Sequence, residues 1–154
     1  MNLMAGEDSL LVINTDGGAR GNPGESGIGI VFQNNSMKKG FYFYTGVSTN
    51  NEAEYSALLK SLELAKKNNH LKIEVYSDSE LVCHQVNGKY KVKSENLKKI
   101  YTKCLNLIKD FTYFSISHTP RINNKEADKL ANMAMDLKKN GEIDLTVAPH
   151  LFNN

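Results

Sequence analysis

The sequence predicts an α/β protein: a mixed sheet with helices packed on its faces. Three observations lead there. Strand-like and helix-like segments follow one another as β-β-β-α-β-α-α-β-α, a hairpin start that gives way to strand–helix alternation and so to parallel crossovers in the second half of the sheet. The first and fourth strands carry the densest Val, Ile and Leu content, which places them at the buried centre. The helical stretches open on polar caps at Thr49, Ser79 and Ser94.

Taken in order, residues 1–9 are polar and irregular and read as a loose leader. Leu10 to Asp16 forms the first strand and opens a glycine-rich turn, Gly17-Gly18-Ala19-Arg20-Gly21-Asn22-Pro23-Gly24. Gly27 to Phe32 and Lys39 to Thr45 form the next two strands, and Asn34-Asn35-Ser36 between them marks an antiparallel hairpin. Thr49-Asn50-Asn51-Glu52 is a capping box that starts a helix running to about Asn68. A fourth strand over 71–77 leads to a short helix from Ser79, and Ser94 caps a helix over 95–109. A fifth strand spans Thr112 to Ser117, and a last helix runs from Asn124 to about Lys138. One domain over 10–138 is expected, followed by a tail over 139–154 that is either frayed or folded back on the body.

Within this frame four carboxylates stand out. Asp16 and Asp78 end the two central strands, where open α/β sheets place their ligands. Glu54 shares a helical face with Ala57, Leu58, Ser61 and Ala65, the core-facing side. Burying a lone carboxylate there costs several kcal/mol unless it is paired or metal-bound. Asp128 lies one turn before Ala131, on the border of an apolar stripe, and its spacing alone leaves it open between a ligand and an ordinary solvated Asp. Hard oxygen donors without thiolates suit Mg²⁺ or Mn²⁺ and not zinc.

Composition narrows the classes. No apolar run approaches the roughly 20 residues a membrane span needs, and no signal-peptide core opens the chain, so a cytoplasmic protein without a membrane role is expected. Cys83 and Cys104 fit no metal spacing and are expected as reduced, packed thiols. A net charge of +2 excludes a uniform polycation, but Lys89, Lys91, Lys93, Lys98, Lys99 and Lys103 gather in one stretch that can face phosphate.

Four blocks in order carry a resemblance. Thr15-Asp16-Gly17-Gly18 with Gly21-Asn22-Pro23-Gly24, then Thr49-Asn50-Asn51-Glu52-Ala53-Glu54, then Ser77-Asp78-Ser79, then His118 with Asp128 ten residues on, look like type 1 ribonuclease H. The likeness runs from about Leu10 to Met135. It implies a five-stranded sheet ordered 3-2-1-4-5, strand two antiparallel to the rest, and endonucleolytic cleavage of RNA in RNA/DNA hybrids, leaving 5′-phosphate and 3′-hydroxyl ends. It maps the family's acidic tetrad onto Asp16, Glu54, Asp78 and Asp128, holding two Mg²⁺ ions, with Mn²⁺ as a possible substitute. Asp16 would bridge the ions, Asp128 would help hold the water-activating one, and Glu54 and Asp78 the one at the leaving oxygen. His118 matches a loop histidine assisting proton transfer or product exit. Asn22, Thr49, Asn50 and Asn51 fall where the family contacts the minor groove of the hybrid.

One departure is plain. Many bacterial members grip the DNA strand with a basic, Trp-bearing helical protrusion. This chain has no Trp, and only Asn87-Gly88-Lys89-Tyr90-Lys91-Val92-Lys93 bridges the second and third helices, as in members lacking the handle. Lys89, Lys91 and Lys93 are then the residues left for phosphate contact. The alternative function is a hybrid-binding module of the same fold that has lost catalysis; such modules usually lose an acid, and all four are present. Exonuclease and integrase relatives lack the Thr-Asn-Asn-x-x-Glu block. A free-standing monomer without an obligate protein partner is expected, not a domain excised from a reverse transcriptase.

Overall fold

The computed structural model describes residues 9–147. The expected leader falls outside it except for Ser9, as do residues 148–154 of the tail, His150 among them. The elements are β1 (Leu11–Gly21), β2 (Gly24–Gln33), β3 (Lys38–Ser48), α1 (Asn50–Lys67), β4 (Lys72–Ser77), α2 (Glu80–Val86), α3 (Glu95–Ile108), β5 (Tyr113–His118), a 3-10 turn (Arg121–Asn123), α4 (Lys125–Leu137) and β6 (Gly141–Asp144). The sheet order is β5-β4-β1-β2-β3-β6. β1 pairs parallel with β4, which pairs parallel with β5, whereas β2 runs antiparallel to both β1 and β3. The expected 3-2-1-4-5 core and its mixed directions are therefore present.

Two local expectations need correction. The sheet has six strands, because Gly141–Asp144 folds back and pairs antiparallel with β3, Lys39 opposite Asp144 and Phe41 opposite Glu142. The segment holds one apolar residue, Ile143, too little for a strand signal. It is held by Leu145, 1% exposed in a small core with Val31, Ala127 and Leu130, and by Lys38 main-chain bonds with Leu145 and Thr146. The glycine-rich segment is also mostly strand. β1 continues to Gly21, with Gly17 opposite Ile28 and Arg20 opposite Glu25, and only Asn22 and Pro23 make the turn.

Glycines in that segment are there for close approach. A Cβ on Gly17 would stand 2.7 Å from the Glu54 nitrogen and nearer still to the Ala53 carbonyl, so α1 rests directly on the β1 backbone. On the opposite face a Cβ on Gly29 would stand 2.7 Å from the Ala131 nitrogen, beneath α4. Helices thus seat on both faces of the central hairpin. α1 buries Ala53, Glu54, Tyr55, Ala57, Leu58, Ser61, Leu62 and Ala65 against β1, β2 and α3, the face its periodicity assigns to the core. Tyr55 is fully buried, and its hydroxyl donates to Gln85 Oε1 at 2.7 Å, which satisfies the one polar atom that burial would otherwise orphan. Thr49 caps α1 by the expected reciprocal bonds with Glu52, and Ser79 and Ser94 cap α2 and α3. Cys83 and Cys104 are free and buried, and burial pushes their thiols up to about 11 and about 12. No helix among the described residues is long and apolar enough to cross a membrane.

Candidate active site

The register of the parallel strands sets the site. Thr15 pairs with Ser77, so Asp16, still paired with Gly29 of β2, and Asp78, one residue past β4, stand side by side where the parallel pairing ends. Ser77 in turn pairs with His118, which ends β5 in the same row and is exposed; it is a strand-end residue and not a loop residue. From the α1 face, Glu54 Oε1 accepts from the Gly17 main-chain nitrogen at 2.9 Å, one residue past Asp16. From the α4 face, Asn124 is the anchor. Its side-chain nitrogen donates to the Thr15 carbonyl at 2.9 Å, its Oδ1 accepts from Asn14 at 3.0 Å, and its own carbonyl accepts the Asp128 N–H at 3.1 Å. Asp128 is thereby leashed to the residue preceding Asp16.

These contacts converge four acids from four elements on one cleft of about 500 Å³, which His118, Arg121, Asn50 and Asn132 also line. Carboxylate oxygens of Asp16, Glu54 and Asp78 lie within 4.8 Å of one another, and Asp128 lies within reach of a hydrogen bond from protonated Asp16. Asp16 is 7% exposed and Glu54 9%, so their charges are poorly hydrated. Burial first, then the charges of Glu54 and Asp78 and the hydrogen bond that protonated Asp16 donates to Asp128, push Asp16 up to about 9. Burial and then Asp78 push Glu54 up to about 8, against the pull of the Gly17 N–H and Arg121. Without a cation, Asp16 and Glu54 are both held well above the ordinary carboxylate range. A divalent cation removes that penalty, and the donor set fits one: several hard oxygens within reach of a single ion, and no thiolate in the lining.

Around the acids, the sequence-derived binding set divides. Asn50 lines the acid cleft itself, with its Oδ1 accepting from the Ala19 N–H at 3.3 Å. Asn22, Thr49 and Asn51 line an adjoining depression of about 300 Å³ together with Ser94 and Asn96, and Asn22 Oδ1 accepts the Asn50 N–H at 3.0 Å. Lys89, Lys91 and Lys93 are exposed on the connection 87–94 between α2 and α3, outside both recesses. That connection contains no helix. Sequence reasoning missed Arg20, Arg121, Asn124 and Asn132. Asn124 had a partial signal, the cap position of α4, but its side chain makes no cap bond and reaches across to β1 instead. Arg121 had none.

A family profile described as reverse transcriptase-like matches residues 14–134. The solved RNase H1 of the archaeon Halobacterium salinarum superposes with a TM-score of 0.77 at 35% identity, covering 82% of this chain and 98% of that one. The chain belongs to the type 1 ribonuclease H family. A second solved structure, LC11-RNase H1 in complex with an RNA/DNA hybrid, is 38% identical with a TM-score of 0.75, over 83% of this chain and 98% of that one. By sequence, the ribonuclease HI of Halobacterium salinarum is 37% identical over 123 residues, 79% of this chain. A bifunctional protein of Mycobacterium tuberculosis is 39% identical over 129 residues, 82% of this chain. The chain spans 62% of the length of the first and 35% of the second. The helix-free 87–94 connection leaves this family member without a helical protrusion in that position.

Proposed function

We propose that this protein is an endoribonuclease that hydrolyses the RNA strand of RNA/DNA hybrids, with divalent metal ions held by Asp16, Glu54, Asp78 and Asp128. The observation that carries the reading is the convergence of four acids from separate elements, two of them with strongly raised proton affinity, at the carboxyl end of the central strands. The hybrid bound by the related LC11-RNase H1 supports the substrate class. When bound, two Mg²⁺ ions, or Mn²⁺ in their place, supply Lewis acidity at the scissile phosphate and compensate the clustered negative charge. Asp16, central to the cluster, would help to hold both. The expected ends are a 5′-phosphate and a 3′-hydroxyl.

The other side chains divide the remaining work. His118, exposed at the cleft rim, is placed to pass a proton between the reacting groups and solvent. Asn50 in the cleft and Asn22, Thr49 and Asn51 beside it offer amide and hydroxyl groups to 2′-hydroxyls in the shallow minor groove, which DNA lacks. Lys89, Lys91 and Lys93 face the phosphates of the other strand. A monomeric domain that runs past the expected end at 138 to take in β6 and Leu145, acting in the cytoplasm, completes the reading.

Incubating the protein with labelled RNA/DNA, RNA/RNA and DNA/DNA duplexes, in Mg²⁺, Mn²⁺ and EDTA, tests it. Cleavage is expected for RNA paired with DNA and only with a divalent ion; robust activity in EDTA, or equal cutting of DNA/DNA, overturns the reading. His118→Ala should lose at most roughly 10²–10⁴-fold in rate, the range of acid–base groups that water partly replaces. Its Mg²⁺ dependence should be unchanged, since oxygen and not imidazole suits that ion. Weakened Mg²⁺ binding or full turnover would assign this histidine a different role. Replacing Lys89, Lys91 and Lys93 together with Ala should raise KM more than it lowers kcat and flatten the salt dependence of binding, because fewer counterions are released. An unchanged salt slope makes the run a solvated surface only.

A further inference from the structure

Helix α4 carries Asp128, Asn132 and Asp136 at successive four-residue steps, so the three side chains line up along one face. Arg20, at the far end of β1, reaches across the mouth of the cleft to two of them. Its Nη1 lies 2.7 Å from Asp136 Oδ1, and its Nη2 donates to Asn132 Oδ1 at 3.1 Å. Asn132 in turn donates from Nδ2 to the Asp128 carbonyl at 3.0 Å and to the Asp128 carboxylate at 3.4 Å.

Donor and acceptor chemistry makes this chain directional. A guanidinium has donors only, so Arg20 can satisfy only the oxygen end of the Asn132 amide. The amino end is then turned to Asp128. The flipped amide would set donor against donor at Arg20 and oxygen against carboxylate at Asp128. Interposing a neutral amide also has an electrostatic consequence. A guanidinium placed directly on Asp128 would neutralise it and compete with a cation, whereas an amide orients the carboxylate and leaves its charge free.

We infer that Arg20 and Asn132 are positioning residues for the metal site: Arg20 fixes the orientation of the Asn132 amide, and Asn132 holds the Asp128 carboxylate toward Asp16. The inference rests on the metal-dependent reading of the site. Neither residue need touch the substrate. Arg20 is half-exposed, and its ion pair with Asp136 contributes little to folding, so truncation leaves the fold intact and thermal unfolding verifies it.

The test is calorimetric titration of Mn²⁺ and Mg²⁺ into the protein without substrate, for wild type, Arg20→Ala, Asn132→Ala and the double variant, beside steady-state cleavage of a hybrid. Each single variant should bind metal about 10-fold more weakly, the scale on which groups orienting metal ligands act. The double variant should be no weaker than the worse single one, because the two act in series. KM for the hybrid should stay near wild type. Unchanged metal affinity in either single variant overturns the inference, as do effects that multiply. So does a raised KM with a shallower salt slope in Arg20→Ala alone, which would make Arg20 a phosphate contact. A wild-type protein that binds metal but cuts no hybrid defeats the proposed function and leaves the calorimetric test of positioning intact. One that binds neither ion defeats both.

Discussion

Asp16→Asn is expected to abolish hybrid cleavage, with a loss beyond the roughly 10⁴-fold that removal of an acid–base group produces, while making the metal-free protein more stable. The two effects have one origin. Asp16 sits 7% exposed among Glu54, Asp78 and Asp128, so the charge that would bind a cation is a burden without one. The sign follows from the raised proton affinity. Well below the ordinary carboxylate value of 3.8 both folded and unfolded chains hold the Asp16 proton, and the group is neutral to stability. As pH rises the unfolded chain releases its proton first, and the folded protein, with Asp16 held up to about 9, loses stability across that window. Asparagine removes the dependence. In EDTA at pH 8 the variant should therefore exceed wild type by on the order of 1–3 kcal/mol, with the gap closing toward pH 4. Thermal unfolding across a pH series measures it. Equal stability at both ends, or near-wild-type turnover, removes Asp16 from the centre of the site.

Gly17→Ala should damage both fold and activity through a single methyl group. Its Cβ would press on the Ala53 carbonyl and stand 2.7 Å from the Glu54 nitrogen, and both are backbone atoms that cannot rotate away. Either α1 lifts from β1 or the strand bows. Overpacking of this kind costs about 1–3 kcal/mol, and rigid backbone on the receiving side puts this site near the top of the range. The same shift stretches the 2.9 Å bond by which the Gly17 N–H holds Glu54, and displacement of a reacting group by about 1 Å costs on the order of 10²-fold in rate. Gly18→Ala is the matched comparison, since its Cβ would meet only Asn50 Oδ1, at 3.8 Å. Its unfolding midpoint should stay close to wild type. If the two variants unfold alike, the close seating of α1 on β1 is not what holds Glu54 in place.

Much of this was legible in the chain because local physics wrote it there. The capping box at Thr49 fixes where α1 begins, and with it which face Glu54 occupies; the structure places Glu54 on that face, 9% exposed beside Ala57, Leu58 and Ser61. Burial of β1 and β4 followed from their apolar content, and Asp16 and Asp78 were read as ending those strands, although β1 in fact runs on past Asp16 to Gly21. β6 was not legible. Its pairing depends on an open β3 edge and on Leu145 finding Val31 and Leu130, partners more than a dozen residues away in the chain.

What the sequence by itself determined is Asp16, Glu54 and Asp78 as candidate ligands, the class of ion they suit, and the order of elements that carries them. Residue type, short-range caps and periodicity are enough for that, because each acts within a turn or two of chain. Asp128 joined them through the family resemblance alone, and only the tertiary structure brings it into the same cleft. Its spacing on α4 left it open, and the deciding contact is Asn124 reaching from the helix start to the Thr15 carbonyl, 109 residues away in sequence. Arg20, Arg121 and Asn132 entered the cleft the same way, from positions whose own surroundings in the chain carry no mark of it. Side-chain bonds between distant segments are set by how helices seat on the sheet, and that seating depends on backbone clearance at Gly17 and Gly29, which no local pattern measures.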